Sequence, residues 1–140
     1  MQDDFSLGDA GSAAATMACG ALLAKWRGLR WPVAHLKRLS ERQWQTRGEG
    51  GPNWISGFKP RADELTFLHH LPSAYSSVHF TQYMQTLRDT ACVLIGYSLD
   101  ETILATAVEG FHRNHRYYLA TDAVACRVPS VRTRIPIGAR

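Results

Sequence analysis

What this sequence lacks narrows it first. It has three cysteines, Cys19, Cys92 and Cys126, and no Cys-x-x-Cys spacing, which excludes a zinc knuckle and a dithiol redox centre. Three unpaired thiols suit a reducing compartment, so a cytoplasmic location is expected. No uncharged apolar run reaches the ~18 residues that a membrane span requires, and no membrane partner is expected. The chain opens Met1-Gln2-Asp3-Asp4, with acids where a signal peptide carries basic residues. Lysine is scarce: Lys25, Lys37 and Lys59 all fall in the first half. No internal repeat or low-complexity tract appears.

What is present is ordinary globular composition. The 140 residues are 45% hydrophobic and 20% charged, which amounts to one domain with a buried core. A formal net charge of +4 favours solubility and some affinity for anions without specifying nucleic acid. Arg127, Arg132, Arg134 and Arg140 gather at the C-terminal end. Residues 127–140 are expected to form a basic, irregular tail behind a domain spanning 1–126.

Alanine and leucine dominate residues 11–28, which predicts a helix capped by Gly11 or Ser12, with Met17, Ala21 and Leu22 on its inner face. Residues 31–36 and 64–68 predict short strands. Between them, 40–62 is rich in glycine and proline and predicts a long loop that shapes specificity. Residues 78–89 predict a helix with Phe80, Met84 and Leu87 on one side. The continuous apolar run Ala91–Tyr97 predicts a strand covered on both faces. A helix started by Asp100 follows, with Ile103, Ala107 and Phe111 repeating along it, and residues 117–121 predict the next strand. Strand, helix and strand within about 30 residues make a parallel crossover. The fold class is therefore α/β, a Rossmann-like doubly wound parallel sheet with helices on both faces.

Residues 94–124, LIGYSLDETILATAVEGFHRNHRYYLATDAV, carry a further pattern. Gly96, Asp100, Leu104, Ala105, Thr106, Ala107, Phe111, Asp122 and Ala123 fall without a gap in the register of a known segment. That segment is a buried strand, Gly-Val-x-Thr-Asp-x-Cys-Val-x-x-Thr-Ala, an aromatic, and a strand ending in Asp-Ala. Ser73-Ala74-Tyr75 and Met1-Gln2-Asp3-Asp4-Phe5 supply two more matches in the right order. Together these motifs resemble the isochorismatase-like hydrolases, a family of amidases and related enzymes with a Rossmann-like sheet.

The resemblance implies a cysteine nucleophile, a lysine and an aspartate meeting at the C-terminal ends of the strands, and this sequence fills none of the three. Thr102 stands at the nucleophile position, and its hydroxyl is far less acidic than a thiol. His69 stands near the lysine position, with Leu68 or His70 as the neighbours of a one-residue slip. The aspartate would precede Met1, on a central strand that the sequence does not contain. The resemblance thus implies a first strand missing from the sheet, a core open along two neighbouring edges, and a domain shortened at both ends. Tyr97, Ser98 and Tyr75 are the expected pocket or oxyanion residues, and Tyr97-Ser98 is where the family's non-proline cis peptide would lie.

Other residues carry less. Neighbouring His69 and His70, with His35, do not make a metal site, and no metal or cofactor is expected. Glu101 is next to Thr102 on a helix and points elsewhere. Cys92 and Cys126 are expected to be structural. The functional expectation is an isochorismatase-like protein impaired in catalysis, retaining a binding or assembly role with room for a small-molecule ligand and a tendency to homo-oligomerise. Two alternatives stand beside it. One is a hydrolase of a C–N amide or vinyl-ether bond using an upstream aspartate, and the other is a small anion-binding module.

Overall fold

Aliphatic strands and alanine-rich helices alternate along the chain. The computed structural model describes residues 10–46 and 53–126. In order come α1 (Ala10–Gly28), β1 (Ala34–Arg38), α2 (Glu41–Gln45), β2 (Leu65–His69), a 3-10 turn (Ala74–Ser76), α3 (Val78–Gln85), β3 (Ala91–Tyr97), a π turn (Leu99–Ile103), α4 (Leu104–His112) and β4 (Arg116–Ala125). The Met1–Phe5 motif, the predicted 127–140 tail and part of the 40–62 loop lie outside the described residues.

β1 pairs with β2 and β3 with β4, each pair parallel. The two pairs remain separate two-stranded sheets. Helices cover both faces. Ile95 and Ala120 join Cys19, Leu23, Phe58 and Ala123 under α1. On the opposite face Phe67, Tyr75, Phe80 and Met84 form a second cluster, against which Cys92 and Tyr117 pack. Leu99, Ile103, Leu119 and Val124 form a third around the π turn. The architecture is α/β with parallel strands, as the crossover pattern implies.

Several boundaries differ from the sequence expectation, each for a physical reason. α1 buries Ser12, Ala15, Cys19 and Leu23, whereas Met17 is 77% exposed. Small side chains at 15 and 19 let the helix approach the sheet closely, down to a bond from the Cys19 thiol to the Ala123 carbonyl of 2.9 Å. β1 begins at Ala34 instead of residue 31, because Pro32 has no N–H to offer a ladder. Within the predicted loop, Ser40 caps α2 through a capping box with Gln43, a signal the Ser-x-x-Gln spacing carried. Trp44 of α2 then stacks on His70, with ring centroids 4.5 Å apart.

The helix after β3 is not started by Asp100. A π turn comes first, its Ile103 N–H bonded to the Ser98 carbonyl, and regular α-helix begins only at Leu104. Its buried face runs through Ile103, Thr106 and Gly110, while Phe111 is 76% exposed. The helix ends at His112 because Asn114 adopts a left-handed φ of 62°, with the His115 N–H returning to the Gly110 carbonyl. β3 is only partly covered. Ala91 and Val93 are exposed, since one edge of the strand has no neighbouring strand among the described residues. The Tyr97-Ser98 peptide is cis, at the position the resemblance marked.

Gly110 sets the approach of α4 to β4. A Cβ there would lie 2.1 Å from Cε2 of Tyr117 and 3.0 Å from the Tyr75 hydroxyl. Gly110→Ala should therefore lower stability by about 1–3 kcal/mol through overpacking, read as a drop in the melting temperature. Gly28→Ala meets nothing within 4 Å and should leave stability unchanged or slightly raised.

Candidate functional site

A cavity of about 160 Å³ opens at the C-terminal ends of β1, β2 and β3. Arg38 and His69 reach it from the last residues of β1 and β2, and Gly96 and Tyr97 from the end of β3. Thr102 and Thr106 enter from the π turn and α4, and Phe58 from the long loop. The chain comes together here because parallel strands end on the same side and the following turns fold back over them.

His69 is 1% exposed, and burial is the main force holding its pKa below the usual imidazole value. Its Nδ1 lies 2.8 Å from the Leu71 carbonyl oxygen. That oxygen can only accept, so Nδ1 carries the proton and Nε2 presents a lone pair. Nε2 is buried and has no hydrogen-bond partner. A lysine ammonium would donate and carry charge, whereas this imidazole accepts and is neutral.

Arg38 is the charged residue of the lining, and its Nη1 is 2.7 Å from Glu101 Oε1. Glu101 is thereby turned to an ion pair instead of toward Thr102. His35, also in the lining, donates from Nε2 to Glu64 Oε2 at 2.7 Å. Glu64 further accepts two bonds from Arg27, at 2.6 and 2.8 Å, and one from the Arg61 N–H. The Arg27 guanidinium contributes most to holding the Glu64 carboxyl near pH 2, down from 4.5.

Of the sequence-marked residues, Thr102, His69 and Tyr97 line the one cavity. Tyr97 turns its hydroxyl away to α1, where it meets Ser12 and Thr16. Ser98 is buried in the turn, with its Oγ unpartnered. Tyr75 lies apart from the cavity lining, in the α3-side core, where its hydroxyl bonds to His115 and, at 2.7 Å, to Tyr117. Sequence reasoning missed Arg38, Thr106 and Phe58. Thr106 alone had a local signal, as the hydroxyl one helical turn after Thr102. Among the described residues the lining holds no cysteine, lysine, aspartate or glutamate. No group of three or more possible metal ligands occurs among the described residues, and no described helix is long and apolar enough to cross a membrane.

Parallel strands between helical layers, with a cavity at their C-terminal ends, define a doubly wound α/β protein. A profile described as the Isochorismatase domain matches residues 1–132, and the chain belongs to the isochorismatase family. An isochorismatase family protein from Desulfovibrio vulgaris subsp. vulgaris str. Hildenborough shares 23% identity and a TM-score of 0.73, over 96% of this chain and 82% of that one. An isochorismatase-like hydrolase from Alkaliphilus metalliredigens shares 14% identity and a TM-score of 0.77, over 89% and 73%. The N-carbamoylsarcosine amidase of Thermoplasma acidophilum shares 19% identity and a TM-score of 0.70, over 91% and 79%. At these identities the likeness is one of fold. The chain spans 66% of the similar isochorismatase from Pseudomonas putida KT2440. No curated protein matches it significantly.

The Glu64 cluster predicts acid sensitivity. The His35 pKa is held below 6.5 chiefly by burial, and that of Glu64 is lowered to about 2. Both groups bind more protons unfolded than folded, so stability is full above these ordinary values and falls on acidification. His35 contributes first, below pH 6.5, and Glu64 contributes between 4.5 and about 2, with up to about 3 kcal/mol at stake. Chemical denaturation across pH should show this decline, and Glu64→Gln should flatten its lower part.

Proposed function

We propose that this isochorismatase-family chain binds a small molecule at the strand-end cavity and does not carry out cysteine-based C–N hydrolysis there. The observation that supports this is the lining itself. Thr102 stands where the family motif has its nucleophile, His69 presents a lone pair where a cation is expected, and among the described residues no lining carboxylate is at hand to take a proton. Neither Cys19 nor Cys92 stands in the lining to take the nucleophile's place. Burial pushes the Cys19 pKa up to about 11 and raises that of Cys92, which disfavours the thiolate at both.

The size of the ligand follows from the volume. A cavity of ~150 Å³ takes a benzene-sized ring, so one aromatic or one small amide fills this site. Its contacts would be an N–H or O–H donated to His69 Nε2, the Thr102 hydroxyl, and the ring of Phe58. Similarity to proteins named as an amidase and, in Bacillus subtilis, a nicotinamidase makes a simple aromatic amide the first probe. A role in assembly belongs to the same reading, since Val108 and Phe111 stand exposed on one face of α4. Three free thiols support a reducing compartment such as the cytoplasm.

The test pairs binding with turnover. Nicotinamide should shift the amide resonances of Gly96, Thr102 and His69 without releasing ammonia, and His69→Ala should weaken that binding about tenfold, the scale of one lost hydrogen bond. Under native conditions iodoacetamide should label Cys19 at least about tenfold more slowly than in denaturant. Ammonia release abolished by Thr102→Ala would show a working hydrolase and overturn the reading. A specific observation favours that rival: Nε2 of His69 is a free base, and an acid delivered beside it would complete a proton relay.

A further inference from the structure

In the α3-side core, apart from the strand-end cavity, three polar side chains meet. The Tyr75 hydroxyl bonds to Nδ1 of His115 and, at 2.7 Å, to the Tyr117 hydroxyl. Tyr75 is 6% exposed and His115 8%, and their rings stack with 13° between the planes. Each residue comes from a different element. Tyr75 lies in the 3-10 turn, His115 in the turn between α4 and β4, and Tyr117 at the start of β4. Gly110 leaves the room they occupy, since a Cβ there would press on both tyrosines.

The proton count fixes the direction of the two bonds. Tyr75 has one O–H proton and two partners, so it donates to one and accepts from the other. When it donates to Nδ1, Tyr117 donates to Tyr75 and every proton has an acceptor. When Nδ1 carries a proton, both bonds reverse, and the Tyr117 proton is left without an acceptor among the described residues. The satisfied arrangement therefore has a neutral ring with its proton on Nε2. The surroundings act in the same direction. The Arg113 guanidinium lies 4.9 Å from the Tyr75 ring centre, and Arg88 approaches from just beyond α3. The Glu109 carboxylate, which could offset a further cation, is already bonded to Arg113 at 2.8 Å. Cys92 of β3, the remaining titratable group packed here, is held as a neutral thiol by burial. Burial first, then Arg113 and Arg88, keep the His115 pKa below its usual 6.5.

We propose that Tyr75, His115 and Tyr117 form a proton-gated latch. A neutral His115 ring locks the 3-10 turn onto the turn between α4 and β4, and a proton taken from solvent at Nδ1 releases it. The folded ring binds that proton less readily than the unfolded one, so the latch is intact above pH 6.5 and is lost on acidification below it. Release is carried to the cavity wall. The same 3-10 turn gives its Ala74 N–H to Thr106 Oγ1 at 3.0 Å, and Thr106 lines the cavity. The latch stands whatever that cavity binds.

NMR of the full chain, titrated from about pH 8 to about pH 5, reads both states of the latch. At the upper end the ring-nitrogen shifts of His115 should show its proton on Nε2. On acidification the exchange protection of the Ala74 and His115 amides, corrected for intrinsic exchange, should fall about tenfold, the scale of one lost hydrogen bond. The fall should share the midpoint of the His115 titration. His35 and His69 titrate in the same chain, so His115→Asn isolates the latch, since its amide oxygen can accept from Tyr75 but takes up no proton. In that variant the protection should hold through the acid range. Tyr75→Phe should give the low protection at every pH and raise the His115 midpoint, because it removes a bond that only the neutral ring accepts. A proton on Nδ1 at the upper end would overturn the proposal, as would a His115 titration that leaves Ala74 protected. Equal acid loss in His115→Asn would overturn it in favour of His69 or the Glu64 cluster as the sensor. Should His115→Asn fail to fold, Tyr75→Phe decides alone, and an unshifted His115 midpoint there overturns the latch.

Discussion

The rest of this structure depends on the way α1 ties together two sheets that share no ladder among the described residues. At its N-terminal end the Tyr97 hydroxyl of β3 bonds to Ser12 and Thr16. In its middle the Cys19 thiol donates to the Ala123 carbonyl of β4. Near its C-terminal end Arg27 holds Glu64, which in turn receives His35 of β1. One helix is therefore bonded to β3 and β4 directly and to β1 through a buried carboxylate. Breaking one partner of such a cluster leaves an uncompensated charge, which costs more than the pair itself contributes.

The core is divided accordingly. The clusters under α1 and under α3 lie on opposite faces, and a third gathers around the π turn. Val93 is half-exposed, and Leu36 and Leu94 are partly covered, since each lies along an edge that has a neighbouring strand on one side only among the described residues.

Much of the fold was legible because its signals are local. Ala91–Tyr97 is a run of apolar residues with no competing pattern, and its bounds in the structure are those of the sequence reading. The alanine-rich first helix was equally plain in extent. Its buried face was not, because the close approach of Cys19 to Ala123 is decided by a strand a hundred residues away. Phe111 misled for a related reason: a large aromatic at helical spacing suggests core, yet Gly110 beside it is the residue that packs against Tyr117. At the site, Thr102 and His69 could be placed by motif register. Arg38 and Phe58 could not, since nothing local marks a residue that meets the others only after three strands and a loop have been brought together. The Arg27–Glu64–His35 cluster was invisible on the same grounds.

The pair between Arg38 and Glu101 differs from that cluster in one respect. Its side chains are 20% and 35% exposed, against 12% and 6% for Arg27 and Glu64. Mobile ions reach the outer pair and screen it, with a Debye length of ~8 Å at physiological ionic strength, and the inner pair is largely shielded from them. Arg38 is also part of the cavity wall. The shape and charge of that wall are consequently set in part by the ionic strength of the surrounding solution, while the framework behind it is not.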